Sequence, residues 1–233
     1  MEALILNSGL GSRMGDITKN HPKCMTEISG IDTILSRQLK LLKNNGINDV
    51  VITTGYYDEV LINYCNNLNF GLNIEFINNP IYKDTNYIYS IYCAREHLND
   101  DIVLMHGDLV FDDSVLKDII NQDNSVMTVS STSPLPEKDF KAVVKDNHII
   151  KVGINYFDNA YSAQPLYKLN KKDWLIWLNS IVNFCESGNT KVYAENAFNE
   201  VSDICLIYPY DVKDRLCNEI DNPEDLENVK KRI

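Results

Sequence analysis

The run Ala3-Leu4-Ile5-Leu6-Asn7-Ser8-Gly9-Leu10-Gly11-Ser12-Arg13-Met14-Gly15, followed by Pro22-Lys23, decides how the rest of the chain is read. Residues 3–6 have the length and composition of a buried strand. Three glycines and two serines follow, so the turn carries almost no side-chain bulk and its backbone N–H groups can approach a polyanion. Arg13 and Lys23 add positive charge, the first suited to forked contacts with phosphate oxygens and the second a point charge. The spacing Gly-x-Gly-x-x-x-Gly fits neither the Walker P-loop nor the dinucleotide fingerprint.

Working outward, Asp32 or Thr33 is placed to cap a helix with Ile34, Leu35, Leu39, Leu41 and Leu42 on one face, which Gly46 ends. Residues 49–54 follow as a strand. A second cycle runs from Asp58, read as the cap of a helix over 59–64, to a strand over 73–78. A helix over 90–98 precedes an apolar strand over 102–106 that runs into Gly107-Asp108. Strands alternating with helices imply parallel strands with crossover helices on both faces. In such a sheet ligands gather at the carboxyl ends of the strands, where the glycine-rich loop, Thr54-Gly55-Tyr56 and Gly107-Asp108 all fall.

Beyond about residue 124 the pattern shortens to strands over 125–131, 140–145, 148–152 and 163–169, with Asp146-Asn147 as a hairpin turn. A helix over 171–186 carries Trp174 and Trp177 on its apolar face, read as core, and ends at Ser187-Gly188-Asn189. A strand over 204–208 and a last helix opened by Asn222-Pro223-Glu224-Asp225 complete the chain. The expected fold is α/β: a mixed, mainly parallel sheet flanked by helices, with a smaller β/α subdomain laid across the strand ends. No linker divides residues 1–233, which are read as one domain in two halves, 1–124 and 125–233.

A formal charge of −11 argues against a nucleic-acid backbone as partner, since that needs a basic face. Any anionic ligand must meet a local basic pocket. No signal-peptide core and no membrane segment is read in the chain. Six scattered cysteines without Cys-x-x-Cys or zinc spacing read as reduced thiols of a cytoplasmic protein. His21, His97, His106 and His148 read as unpartnered, so none is assigned as a base, and Ser8 and Ser12 lack the base a nucleophile needs.

The loop with Pro22-Lys23 resembles the N-terminal signature of nucleotidyltransferases, Leu-Ala-Ala-Gly-x-Gly-x-Arg-Met/Leu and then Pro-Lys, with Asn7-Ser8 in place of the two alanines. The resemblance extends to Gly107-Asp108 and to Glu219-Ile220-Asp221. It implies a Rossmann-like fold and transfer of a nucleotidyl group, in which an acceptor phosphate attacks the α-phosphorus of an NTP and pyrophosphate leaves. Arg13, Lys23, Asp108 and Asp221 would be the catalytic set, with Asp108 and Asp221 holding Mg2+. Leu6, Asn7, Ser8, Gly9, Gly11 and Ser12, with Arg13, Lys23 and Asp108, would bind the nucleotide. Asp221 also reads as part of the cap of the last helix.

The segment 85–92 resembles an Asn-x-x-Ser element of phosphocholine-type cytidylyltransferases, which implies that Thr85, Asn86 and Ser90 lie beside the nucleotide and that the acceptor is not a sugar. Tyr193-Ala194-Glu195-Asn196 is similar to a Tyr-Trp-Asp-Asn element near the acceptor. Ala194 removes an aromatic face, the best partner of a quaternary ammonium, so Tyr193, Glu195 and Asn196 better suit a primary amine or amino-acid head group. Lys141, Gln164 and Tyr167 fall where the family faces its acceptor. Lys141 reads either as a phosphate ligand or as an exposed lysine opening a strand. The halves become nucleotide-binding (1–124) and acceptor-binding (125–233).

The expected function is CTP-dependent cytidylyl transfer to a small acceptor such as 2-aminoethylphosphonate, phosphoglutamine or phosphocholine. A sugar-1-phosphate nucleotidyltransferase is the first alternative. A non-catalytic nucleotide-binding subunit is the second, and retention of Arg13, Lys23, Asp108 and Asp221 together speaks against it. CTP and the acceptor are the expected partners, without nucleic acid or membrane, and the oligomeric state, homodimer included, stays open.

Overall fold

A computed structural model describes residues 1–9 and 11–233. The chain opens on β1 (Glu2–Leu6), with Ala3, Leu4 and Ile5 fully buried. Two 3-10 turns, Ser12–Thr18 and Lys23–Met25, carry Arg13 and Lys23. A small ribbon of β2 (Glu27–Ser29) and β3 (Asp32–Thr33) leads into α1 (Ile34–Asn44). Of the two candidate caps, Thr33 is used: its hydroxyl accepts from the Ser36 N–H, and the Ser36 hydroxyl accepts from the Thr33 N–H. Gly46 ends the helix in the left-handed region, at φ +79°.

The strand β4 (Asp49–Thr54) and the helix α2 (Asp58–Leu68) follow. Asp58 is the first helical residue, Tyr57 being the cap, and its carboxylate accepts from the Thr54 hydroxyl. After β5 (Asn73–Asn78), α3 (Tyr87–Ala94) begins three residues earlier than expected, because the Asn86 side chain accepts from the Tyr87 N–H and caps it. The expected 102–106 strand is β6 (Ile102–His106), continued by the short β7 (Leu109–Phe111). The helix α4 (Asp113–Ile120) was not anticipated, although Val115, Leu116 and Ile119 bury one face of it.

In the second half β8 (Val126–Ser130), β9 (Lys141–Lys145) and β10 (His148–Gly153) form as read, while β11 (Ala160–Leu169) begins three residues earlier than expected, where residues 160–162 pair with β9. Asp146 and Asn147 take the positive φ values of a tight hairpin turn, 49° and 63°. The helix α5 (Lys171–Glu186) buries Trp174 and Trp177, whose indole N–H groups donate to the carbonyls of Leu98 and Ala194. Next come α6 (Ala194–Asn199) and β12 (Tyr208–Asp211), the latter starting where the expected strand was to end. The chain closes with β13 (Cys217–Glu219) and α7 (Pro223–Lys230).

The main sheet is mixed. β5, β4, β1 and β6 lie side by side in parallel. The long β11 runs antiparallel to β6 and pairs with both β9 and β8, which joins the second half to the first in one sheet. One apolar cluster fills the face under α3, α5 and α6, and another the face under α1, α2 and α4. The ribbon of β7 and β13 then returns the far end of the chain to the strand ends, pairing Glu219 with Leu109 and donating the Ile220 N–H to the Asp108 carbonyl at 3.0 Å. No helix among the described residues is long and apolar enough to cross a membrane. The six cysteines are unbridged.

Candidate functional site

Three adjoining lobes open at the carboxyl ends of β1 and β6, and Asp108 lines all of them. The first, about 290 Å³, is lined by Leu6, Asn7, Gly9, Gly11, Ser12, Arg13, Lys23, Gly107, Asp108 and Asp221. The second, about 200 Å³, holds Ser8, Asn79, Tyr82, Thr85, Asn86, Tyr87, Ser90 and His106. The third, about 360 Å³, adds Lys138, Asp139, Phe140, Ile154, Tyr193 and Glu219.

Close packing shapes the first lobe. A Cβ on Gly107 would lie 1.7 Å from Asn7 Oδ1, and one on Gly55 would lie 2.5 Å from the Ser8 carbonyl oxygen. Only glycine lets these strand ends approach the 7–8 segment so closely. Inside the lobe the Lys23 ammonium bridges two carboxylates, 2.6 Å from Asp108 Oδ2 and 2.7 Å from Asp221 Oδ1. Arg13 Nη2 donates to the same Asp221 oxygen at 2.8 Å, with its side chain largely exposed.

Electrostatics follow from this packing. Burial alone would raise the Asp108 carboxyl, but the Lys23 charge, with His106, holds it below the usual range. Burial likewise pulls Lys23 down, and the two carboxylates outweigh it and raise its pKa. Asp108 Oδ1 stays buried with no hydrogen-bond partner among the described residues. The same holds for Asn7 Nδ2 and Ser8 Oγ.

Behind Asp108 lies a pair that the sequence did not reveal. His106 Nδ1 sits 2.9 Å from Glu219 Oε1, and both side chains are mostly buried. Burial opposes the imidazolium, yet the Glu219 bond and charge raise His106 to about 9. Glu219 is pushed up to about 7 by burial and the Asp108 charge, against the pull of His106. The neighbouring carboxylate thus favours the imidazolium form of His106. Ligand atoms of His106, Asp108 and Glu219 all lie within 4.8 Å of one another, a second grouping able to hold a cation once the imidazole gives up a proton. The Tyr87 ring meets the His106 ring edge-on at 4.8 Å.

The residues read from sequence thus divide. Leu6, Asn7, Ser8, Gly9, Gly11, Ser12, Arg13, Lys23, Thr85, Asn86, Ser90, Asp108 and Asp221 all line the lobes, and Tyr193 lines the third. Glu195 and Asn196 line a neighbouring groove with Tyr193. The Glu195 carboxylate is buried, accepting from the hydroxyls of Tyr87 and Tyr167, and the Asn196 side chain accepts from the Tyr193 N–H. Lys141, Gln164 and Tyr167 lie elsewhere. Lys141 is fully buried and donates to the carbonyls of Pro136 and Asp139; Tyr167 is buried against Glu195; Gln164 contacts Ser162. In their stead Lys138, Asp139 and Phe140 face the third lobe. Lys141 was read as facing the acceptor, but which residue of this stretch turns inward depends on where the loop ends and β9 begins.

Similarity to known proteins follows the same outline. The chain is 29% identical over 164 residues to the CTP:phosphoglutamine cytidylyltransferase of Campylobacter jejuni, covering 67% of this chain and 63% of that protein. It is 34% identical over 117 residues to the CMP-5'-(3-aminopropyl)phosphonate synthase of Streptomyces rubellomurinus, covering 50% of this chain and 18% of that protein. The chain thus spans less than two thirds of either relative's length. The fold matches the solved CTP:phosphocholine cytidylyltransferase of Streptococcus pneumoniae with a TM-score of 0.81 at 20% identity, over 99% of this chain and 97% of that one. Residues 3–138, which hold β1, the glycine-lined loop, Lys23 and Asp108, match the MobA-like NTP transferase domain, and the chain belongs to that family.

Proposed function

We propose that the protein is a cytidylyltransferase that moves CMP from CTP to a small acceptor bearing a phosphate or phosphonate and an amine. The observation that carries this reading is the meeting at Asp108 of a glycine-lined lobe holding Arg13 and Lys23, a polar lobe, and a lobe of aromatic rings and carboxylates. In this reading they take the triphosphate, the nucleoside and the acceptor. Residues 1–124 form the nucleotide-binding half and residues 125–233 close the acceptor side. CTP use by the phosphoglutamine relative supports the choice of nucleotide, and the phosphonate relative supports a non-sugar acceptor.

The chain's part in the reaction is charge and position. Backbone N–H groups of the loop and the Arg13 guanidinium bind the outer phosphates, while the Lys23 ammonium neutralises charge at the α-phosphate. The acceptor oxygen is already anionic, so no base is required. It forms the new bond to the α-phosphorus as the bond to the pyrophosphate bridging oxygen breaks, and that electron pair leaves with pyrophosphate. Asp108 and Asp221 offer the hard oxygen donors that suit Mg2+, and the unpartnered Asp108 Oδ1 fits a cation; once bound, the ion would neutralise phosphate charge. Tyr87, Phe140 and Tyr193 with Asp139 and Glu219 suit the ammonium end of the acceptor. Glu195 and Asn196 act from behind, fixing Tyr87 and Tyr193.

Pyrophosphate release with each of four NTPs, magnesium, and a panel of phospho- and phosphono-acceptors tests the proposal. Release is expected with CTP and an amine-bearing acceptor, with Asp108→Ala slower by roughly 10²–10³. Release only with UTP or dTTP and a sugar phosphate overturns the acceptor and nucleotide assignment, and no release with any pair overturns catalysis.

A further inference from the structure

Lys141 is fully buried, and its ammonium makes no ion pair among the described residues. A buried lysine without a carboxylate partner is uncommon, since the charge loses its hydration. Here the ammonium is solvated by the chain itself. It donates to the Pro136 carbonyl and, at 3.1 Å, to the Asp139 carbonyl, and it stands 4.2 Å from the centre of the Phe157 ring. Burial draws its pKa below the ordinary lysine value, against the pull of Asp139 and Glu137.

The three contacts belong to two separate loops. Pro136 and Asp139 sit in the connection from β8 to β9, which carries Lys138, Asp139 and Phe140 to the third lobe. Phe157 sits in the connection from β10 to β11, which carries Ile154 to the same lobe. Among the described residues the loop's other hydrogen bonds fall at its ends: Ser130 Oγ bonds to Ser133, the Ser131 hydroxyl donates to Asp211, and the Phe140 carbonyl accepts from the Ala163 N–H. Between them, residues 136–139 hang on the Lys141 ammonium. Phe140 in turn packs edge-on against Tyr193, with ring centres 5.0 Å apart.

We infer that Lys141 is a positioning residue for acceptor specificity: its buried ammonium staples the 131–140 loop to the 154–159 loop, and so sets the two walls of the acceptor lobe without touching the acceptor. This rests on the functional reading above. The nucleotide and triphosphate lobes share no wall with either loop, so the staple should act on one substrate alone.

The test uses the full chain with CTP and the acceptor of highest turnover found in the panel. Lys141→Met, which keeps the stem and removes the donor, is expected to raise the acceptor KM at least tenfold, leave the CTP KM within twofold, and speed amide exchange at residues 137–140. Should Lys141→Met fail to fold, Phe157→Ala at an exposed ring (52%) gives the second reading, with an acceptor KM raised about threefold and CTP unaffected. An unchanged acceptor KM in folded Lys141→Met, or a joint rise for both substrates in either variant, overturns the inference while the wild-type activity stands. A wild-type chain inactive with every pair overturns the functional reading, and the inference with it.

Discussion

Asp108 is set by what surrounds it: its Oδ2 is paired with Lys23, the His106 charge acts on it, and its Oδ1 is buried without a hydrogen-bond partner among the described residues. Arg13, Lys23 and Asp108 were legible as a sequence, since each follows a strand or glycine turn closely enough for a local pattern to carry it. The His106–Glu219 pair was not, because its members stand 113 residues apart and meet only through the β7–β13 ribbon. Its protonation gives a test at this scale. With His106 raised from 6.5 to about 9, its contribution to stability is fully present below the unfolded pKa and is lost as pH rises through about 9. In the metal-free protein, nitrogen chemical shifts of the His106 ring should report imidazolium through neutral pH and deprotonation near pH 9; a neutral ring at pH 7 would contradict the ion pair.

At the scale of elements, the last helix sets the site as much as the first strand does. Asn222 Oδ1 accepts from the N–H groups of Glu224 and Asp225, while Asp225 Oδ2 accepts from those of Asp221 and Asn222. The sequence offered Asp221 as either a site carboxylate or a piece of this cap. The structure gives the cap to Asn222 and Asp225 and turns the Asp221 side chain to Lys23 and Arg13. Asn222→Ala should therefore cost about 1 kcal/mol in urea unfolding, while Asp225→Ala, which removes the acceptor of the Asp221 N–H, should also weaken turnover. Helix α4 escaped the sequence reading although its apolar spacing was present; at eight residues it offers little more than two turns of pattern. Strand β12 was shifted because residues 204–207 are an apolar approach to the strand, while pairing with β8 begins only at Tyr208.

Over the whole molecule, an acidic chain of formal charge −11 gathers Arg13 and Lys23 at its glycine-walled lobe. A ligand that fills the first two lobes binds only the folded chain, so it should raise the melting temperature by mass action. At one hundred times its Kd, CTP with magnesium should add about 2.7 kcal/mol, or roughly 5–10 °C for a chain of this length, and GTP should add little; calorimetric scans with each nucleotide decide it. The sequence by itself determined the α/β alternation, the glycine-lined loop and its two cations, and the aspartate at the end of β6, because these are local patterns of period and spacing. Tertiary structure alone decided the rest: which of Lys138, Asp139, Phe140 and Lys141 face the third lobe, the pairing of His106 with Glu219, and the turning inward of Glu195 and Tyr167. Those outcomes depend on strand register and on contacts between segments tens of residues apart, where a shift of one position exchanges the buried face for the open one.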